Sequence, residues 1–363
     1  MELAERGRFS TAPNPCVGAL IVRDGRVLGR GWHERAGGPH AEIAAFADAR
    51  ANLAADGLDA AAIESALRGS TVYVSLEPCA FEGRTPACAD ALIKAGVARV
   101  VGALTDPHPK VAGSGYERLR AAGISVTALE LPEAEALNPG YLSQVRRGRP
   151  YLRVKIASSL DGRTAMASGE SQWITSAPAR ADVQYWRARS DAVLTGAGTV
   201  RADDPQLNVR DERYRVSGIL RQPLRAVLDT QGTLASGARM FADVDTALWL
   251  QGPDAATADH GVPVARCPHA SEGGLDLAAA LSHLTARGCN EVLLEAGPQL
   301  VGSVLAAGLW DELILYQAPK WLGSHARPQA ELALERMAEA IEATIVDCTL
   351  IGPDLRLILR PQA

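Results

Sequence analysis

The chain has no long apolar run. No uninterrupted stretch approaches the roughly 18–20 residues that cross a bilayer, so no membrane span is expected. Its opening, MELAERGRFS, is charged and lacks the apolar centre of a secretory signal. Positive charge is not in excess either. The 37 Lys and Arg stand against 42 Asp and Glu, a net charge of −5, which weighs against a broad nucleic-acid binder. Cysteine is sparse, with 6 in 363 residues, too few for a disulfide framework in a chain of this length. A reducing, cytoplasmic setting is the simplest expectation. There, paired cysteines more often serve metal or redox chemistry than cross-linking.

What is present fits a globular protein. Hydrophobic residues make up 47% and charged residues 22%. At roughly 100–200 residues per domain, the length predicts two domains. VGALIV (17–22), DG (24–25) and RVLGRGWH (26–33) read as a hairpin. Ala-rich HAEIAAFADARANLAA predicts a helix starting near His40, and residues 56–69 continue it past a break at Gly57. Strand-like TVYVSL (71–76) precedes helical CADALIKAG (88–96), then VARVVGAL, GYERLRAAG and ISVTAL alternate strand, helix and strand. Residues 138–151, with two prolines and three arginines, read as a linker. A second strand series opens at YLRVKIA and includes 191–196, 224–229, 246–251 and 291–297, with helices over 178–190 and 276–288. The domains are therefore taken as 1–145 and 146–363, both α/β.

Chemistry concentrates in two short stretches, GPHAEIAA and LEPCAFEGRTPAC. His40 and Glu42 flank one residue at the start of a predicted helix. Pro78–Cys79 ends a predicted strand, and Cys88 opens the next helix. One imidazole and two thiolates are good zinc ligands and leave a fourth position for water, the mark of a catalytic site. Zinc can lower the pKa of that water to about 7. Glu42, beside His40, is the candidate to carry a proton from the water to a leaving amine. Zinc deaminases share this order of His-x-Glu, Pro-Cys and a third ligand, usually with two residues between the cysteines. Here there are eight. Any single Cys is more often core than ligand. Cys267, Cys289 and Cys348 take that reading, as does Cys16, which is also a candidate to line the pocket.

PNPCVGALIV, GPHAEIAA and EPCAFEGRTPAC together resemble the deaminase half of the bifunctional deaminase–reductases of riboflavin biosynthesis. VKIASSLDGRTAMASGESQWIT (154–175), RADDPQLNVR (201–210), LEAGPQLVGSVL (294–305) and APKWLGSHARP (318–328) resemble the reductase half, so the likeness spans nearly the whole chain. It implies a cytidine-deaminase-like three-layer domain followed by a dihydrofolate-reductase-like domain, with Zn2+ and NADPH as cofactors. His40, Cys79 and Cys88 would hold zinc, Glu42 would shuttle the proton, and Asn14 would line the pyrimidine pocket. Ser171, Arg187, Leu207, Arg210 and Glu295 would contact substrate. Ala157, Trp173, Thr199, Asp203 and a loop of Gly297, Pro298, Gln299, Leu300, Val301, Gly302 and Ser303 would contact NADPH, with Asp203 also near the reacting sugar carbon.

From their chemistry, Lys155, Arg187 and Arg210 are candidates for the substrate phosphate, Arg as a fork and Lys as a point charge. Arg187 could equally sit on a solvated helix face. TGAGTV (195–200) offers Gly196 and Gly198 for close backbone approach to a phosphate. The third glycine of a Rossmann fingerprint is absent, because Arg201 stands there. The family commonly carries His where this chain has Phe81 or Glu82, and residues 50–69 run longer than its usual connection.

The implied activity is deamination of a diaminopyrimidine ribosylamine 5′-phosphate, then NADPH-dependent reduction of ribosyl to ribityl. A dimer or tetramer of the chain is expected. Two other readings use parts of the pattern. A nucleoside or nucleic-acid deaminase with an accessory domain leaves the second half unexplained. A reductase with a structural or lapsed zinc domain leaves Glu42 unexplained.

Overall fold

A computed structural model describes residues 1–81, 87–256 and 261–362. Two compact units divide the chain, Met1–Gly148 and Arg149–Ala363.

The first unit begins with a short helix, α1 (Glu2–Glu5), then the hairpin β1 (Gly18–Arg23) and β2 (Arg26–Trp32). Asp24 and Gly25 turn it with φ of 50° and 77°, the positive values that a two-residue hairpin loop demands. α2 (Ala41–Ala55) and α3 (Ala60–Leu67) follow, then β3 (Thr71–Val74), α4 (Cys88–Ala95), β4 (Arg99–Gly102), α5 (Ser114–Ala121) and β5 (Ser125–Ala128). The sheet order is β2-β1-β3-β4-β5. β1 is antiparallel to both neighbours, and β3, β4 and β5 are parallel. Ile21, Val72, Phe46, Leu67 and Leu92 close the core beneath it.

The predicted linker is not extended. α6 (Pro132–Leu137) precedes it and α7 (Pro139–Arg147) occupies most of it, each with proline in its first turn, where the missing N–H costs nothing. Of the two prolines that suggested a break, Pro139 is a helix start, and Gly148 at φ 69° ends α7.

The second unit runs β6 (Tyr151–Ser159), β7 (Arg163–Ala165), α8 (Ala177–Arg189), β8 (Ala192–Gly196), α9 (Ala197–Asp203), β9 (Leu224–Asp229), β10 (Ala247–Gln251), β11 (Val264–Arg266), α10 (Leu277–Thr285), β12 (Glu291–Glu295) and α11 (Pro298–Ala306). It ends with β13 (Glu312–Ala318), β14 (Arg327–Pro328), β15 (Ala343–Ile351) and β16 (Asp354–Pro361). Nine strands form one sheet, β11-β10-β9-β8-β12-β6-β13-β16-β15, parallel as far as β13 and antiparallel beyond it. Both faces of its centre are buried. Leu194, Leu248 and Leu294 enter one core, while Val193, Trp249 and Leu293 enter the other. At about 1.5–3 kcal/mol per fully buried large apolar side chain, these strands anchor the unit.

Cysteines follow the expected burial with one exception. Cys267 and Cys289 are core, but Cys348 is exposed, because β15 is the outermost strand of the sheet. Cys16 packs with Ala4 and Leu137, and its N–H donates to Asn138 Oδ1, so it belongs to a small core cluster and not to a pocket wall.

Candidate active sites

In the first unit, β2 and α2 bring the metal candidates together. Gly29 and Gly31 lie under the helix backbone. A Cβ on Gly31 would meet Ala41 O at 2.2 Å, and one on Gly29 would meet Ala45 O at 2.3 Å. Only glycine permits that approach, which seats the start of α2 on the sheet. His40 is the N-cap of α2, and Glu42 lies in its first turn, 3% exposed.

On the other side, Glu77 fixes the stretch leading to Cys79. Its buried carboxylate accepts the N–H groups of Asp106 (3.1 Å), Gly113 (2.9 Å), Gly115 (2.9 Å) and Tyr116 (3.3 Å). Cys88 opens α4, and its N–H donates to Cys79 Sγ at 3.3 Å. A helix N-terminus favours the thiolate there.

The result is compact. One donor atom from each of His40, Cys79 and Cys88 lies within 4.8 Å of the others. His40 Nδ1 is 3.2 Å from Cys88 Sγ and 3.7 Å from Cys79 Sγ. Hydrogen bonding from Cys88 and His40 holds the Cys79 thiol far below its ordinary value, and its bond to Cys79 together with burial pushes Cys88 up. Burial also raises Glu42, so its carboxyl holds a proton more readily than a free one. An imidazole nitrogen and two sulfurs at this separation fit a tetrahedral zinc site with one open position.

Asn14 belongs to the same neighbourhood through His33, which the sequence reading did not single out. Asn14 Nδ2 donates to His33 Nε2 at 3.0 Å, and His33 Nδ1 donates to Pro39 O at 2.9 Å. These bonds define a neutral imidazole with its proton on Nδ1, and burial lowers the pKa of His33 in the same sense. Its ring meets that of His40 edge-on at 5.5 Å. Asp106 was also missed. It takes the Tyr141 hydroxyl at 2.7 Å, and burial raises its pKa. Phe81 is 43% exposed and stacks on His108 at 6.5 Å. Glu82 lies outside the described residues.

In the second unit, the parallel strands end at one large cavity of about 1920 Å³. That is about twice the upper volume usual for a drug-sized ligand, room for a dinucleotide and a second molecule. Lys155 of β6 and Glu295 of β12 are direct register partners. Arg187 of α8 forks onto Glu295, Nε to Oε1 at 2.6 Å and Nη2 to Oε2 at 3.0 Å, while Nη1 donates to Asn208 O. It is therefore not on a solvated face. Burial tends to raise Glu295, but the charges of Arg187 and Lys155 outweigh it and the pKa is lowered. Burial lowers that of Lys155. Gln184 accepts the Arg210 N–H at 2.8 Å and fixes the stretch carrying Leu207 and Arg210.

Ala157, Ser171, Trp173, Thr199, Asp203, Leu207 and Arg210 all line the cavity. Trp173 is 61% exposed, with the Arg180 guanidinium 4.3 Å above its ring. The expected loop 297–303 is instead the start of α11, capped by Gly297 with Pro298 at its first position. Gly297, Pro298, Gln299, Leu300 and Ser303 line the cavity. Helical rotation turns Val301 and Gly302 away into the interior, where a Cβ on Gly302 would meet Glu331 O at 1.9 Å.

Comparison with known proteins agrees with both halves. Residues 1–104 match the cytidine and deoxycytidylate deaminase zinc-binding region, and residues 150–357 match the RibD C-terminal domain. The riboflavin biosynthesis protein RibD of Escherichia coli is 47% identical over 99% of this chain and 96% of its own length. That of Haemophilus influenzae is 40% identical over 100% and 95%. Among solved structures, Acinetobacter baumannii RibD superposes with a TM-score of 0.89 at 42% identity, covering 100% of this chain and 96% of its own. The deaminase/reductase of Thermotoga maritima superposes with a TM-score of 0.85 at 32% identity, covering 99% and 96%. The chain belongs to the RibD family, the bifunctional deaminase–reductases of riboflavin biosynthesis.

Proposed function

We propose that the first unit deaminates 2,5-diamino-6-(5-phosphoribosylamino)pyrimidin-4-one and that the second reduces the ribosyl group of the product to ribityl. The observation that carries this reading is the meeting of His40, Cys79 and Cys88 beside buried Glu42, in a chain whose other half holds a nucleotide-sized cavity.

His40, Cys79 and Cys88 hold zinc, which when bound supplies activation of a water molecule at neutral pH. Glu42 takes a proton from the attacking water and delivers it to the amine. A C–O bond forms at the ring carbon bearing the 2-amino group, its C–N bond breaks, and ammonia leaves. The raised pKa of Glu42 suits a group that must keep a proton between the two transfers. Asn14, oriented by neutral His33, presents its amide to the pyrimidine. Phe81 offers a ring face where the family commonly offers an imidazole.

In the second unit, Lys155 and Arg210 bind the substrate phosphate, and Arg187 holds Glu295 toward the sugar. Ser171 and Leu207 complete that wall. Ala157, Trp173, Thr199 and the cavity face of α11 hold NADPH, which when bound supplies the hydride. Asp203 lies beside the sugar carbon that accepts it. Val301 and Gly302 support this wall from behind.

We also propose that the chain forms a dimer or tetramer. The outer strand β15 leaves Ile345 57% and Leu350 73% exposed, an edge that soluble proteins rarely leave uncovered. Six free cysteines, two of them needed as ligands, suit a cytoplasmic setting.

The test is one reaction in two stages. Purified protein with the diamino substrate should release ammonia before any NADPH is added, then oxidise NADPH once it is supplied. E42Q should retain metal while its ammonia release falls about 10²–10⁴-fold. Loss of metal from E42Q, or unchanged ammonia release, would show that Glu42 has another role.

A further inference from the structure

The cations lining the second-unit cavity fall into separate groups; Arg180 lies over the Trp173 ring and Arg327 beside Gly169, and the reading above leaves Arg201 and Arg239 without a role. Lys155, Arg187 and Arg210 surround Glu295. Arg201 stands apart, on α9 beside the segment that follows β9. Its Nη2 donates to Thr233 Oγ1 at 2.6 Å and to Asp229 Oδ1 at 3.3 Å. The strands run β9-β8-β12-β6. At about 4.8 Å per strand, the end of β9 is roughly 10 Å from that of β12 and roughly 14 Å from that of β6. Both groups border the same cavity.

The anchoring of Arg201 leaves donors free. Both of its bonds leave from Nη2. Nε and Nη1 make no hydrogen bond or ion pair among the described residues, and the side chain is 52% exposed. Asp229, its partner, is only 3% exposed and is itself fixed, accepting Leu234 N–H at 2.9 Å and Trp249 Nε1–H at 3.3 Å. A rigid carboxylate thus anchors Nη2 and leaves Nε and Nη1, which point to different sides of the guanidinium, as single donors for an anion. Arg239 adds a second charge. Its backbone N–H is tied to Asp204 Oδ1 at 2.8 Å, and its guanidinium has no partner among the described residues. It borders the cavity too.

Hydride transfer requires the nicotinamide of an elongated cofactor to meet the substrate near Lys155 and Glu295. The other end of the molecule then reaches across the strand ends, over β8 and toward β9. A phosphomonoester there offers dianionic oxygens that the charge and remaining donors of Arg201 complement, and a ribose hydroxyl does not. We infer that Arg201, assisted by Arg239, forms the subsite for the 2′-phosphate of NADPH and sets the preference for NADPH over NADH. This rests on the reading of the cavity as the NADPH site. It also gives a use to the residue that replaces the third glycine after TGAGTV.

Equilibrium binding to the full-length protein tests it, with NADPH, NADH, 2′,5′-ADP and 5′-AMP titrated calorimetrically. Wild type should favour NADPH over NADH and 2′,5′-ADP over 5′-AMP. R201A should weaken NADPH and 2′,5′-ADP by about ten- to a hundredfold, the usual loss of a charged hydrogen-bonding pair, and leave NADH and 5′-AMP unchanged. R201Q, which can still donate to Asp229 and Thr233, should behave like R201A and separates loss of charge from local misfolding. R239A should show the same selectivity change at smaller size. If R201A and R201Q discriminate as wild type does, the inference falls and the cofactor reading stands. If wild type itself shows no preference in either pair, both fall together.

Discussion

The two sites are built on opposite plans. The metal centre draws its donors from a helix start and from two cysteines nine positions apart, and it gathers them within 4.8 Å. The reductase cavity draws its walls from positions 155 to 331, collected where parallel strands end. The first gathers groups that become anionic, two thiols and a carboxyl, for which a cation is the natural complement. The second gathers Lys155, Arg180, Arg187, Arg201, Arg210, Arg239 and Arg327 along its walls, and for such cations phosphates are the complement. A site held by direct ligation should fail all at once. One spread over many side chains should fail in parts.

Removing a ligand gives the largest expected effect. C79S and C88S should each lower bound metal from one per chain to near zero and reduce ammonia release by at least about a hundredfold. Reduction of the deaminated substrate should continue, since each unit has its own hydrophobic core. Metal analysis beside the two separate assays checks this. Retention of a full metal equivalent in C88S would break the contrast by showing that the centre tolerates loss of a donor.

Breaking the buried pair in the other site should be graded. R187A leaves Glu295 buried with Lys155 and Arg210 as its remaining neighbouring cations, and uncoupling a buried pair costs about 3–5 kcal/mol. For a unit of this size that lowers the melting temperature by about 10 °C. R187A/E295Q removes the stranded charge and should recover part of the loss. Calorimetry on the two variants separates the outcomes. A double variant less stable than R187A would mean that Glu295 is held mainly by something other than Arg187.

This contrast also explains what could be read from sequence. His40, Glu42, Cys79 and Cys88 were legible because ligand chemistry demands particular residue types at the ends of elements that periodicity reveals. His33 and Asp106 were not. A single His after a strand and an Asp before a proline have many uses, and only the tertiary approach of Pro39 and Tyr141 selects these. Most central strands were legible from their two-sided apolar runs. The strands β13, β15 and β16 were passed over. The proline at 139 carried the wrong message, since the same residue that breaks a helix also begins one. Val301 and Gly302 fell among the expected NADPH contacts because the resemblance carries over the whole stretch 297–303 as a loop. Once it is a helix, its period turns them inward.

The smallest expected effect tests whether a tie between the segments after β6 and β13 can fail alone. Asp161 accepts the N–H groups of Leu322 (3.1 Å) and Gly323 (2.8 Å), joining the turn after β6 to the segment after β13. Hydrogen bonds from Ser159 and from those two amides hold its carboxyl down at about 2. A depressed carboxyl contributes stability that is present above its unfolded value, about 3.9, and is lost as pH falls through about 2. The group is only partly buried, so D161A should lower the melting temperature at pH 7 by about 2 °C or less. That difference should shrink between about pH 4 and pH 2, because wild type loses the same tie on protonation. Amide exchange at Leu322 and Gly323 should quicken in D161A at neutral pH, while Lys155 and Glu295 on the neighbouring strands keep their protection. Faster exchange at those strand positions as well would mean that this tie and the charged centre open as one unit, and the graded failure argued for this site would not hold.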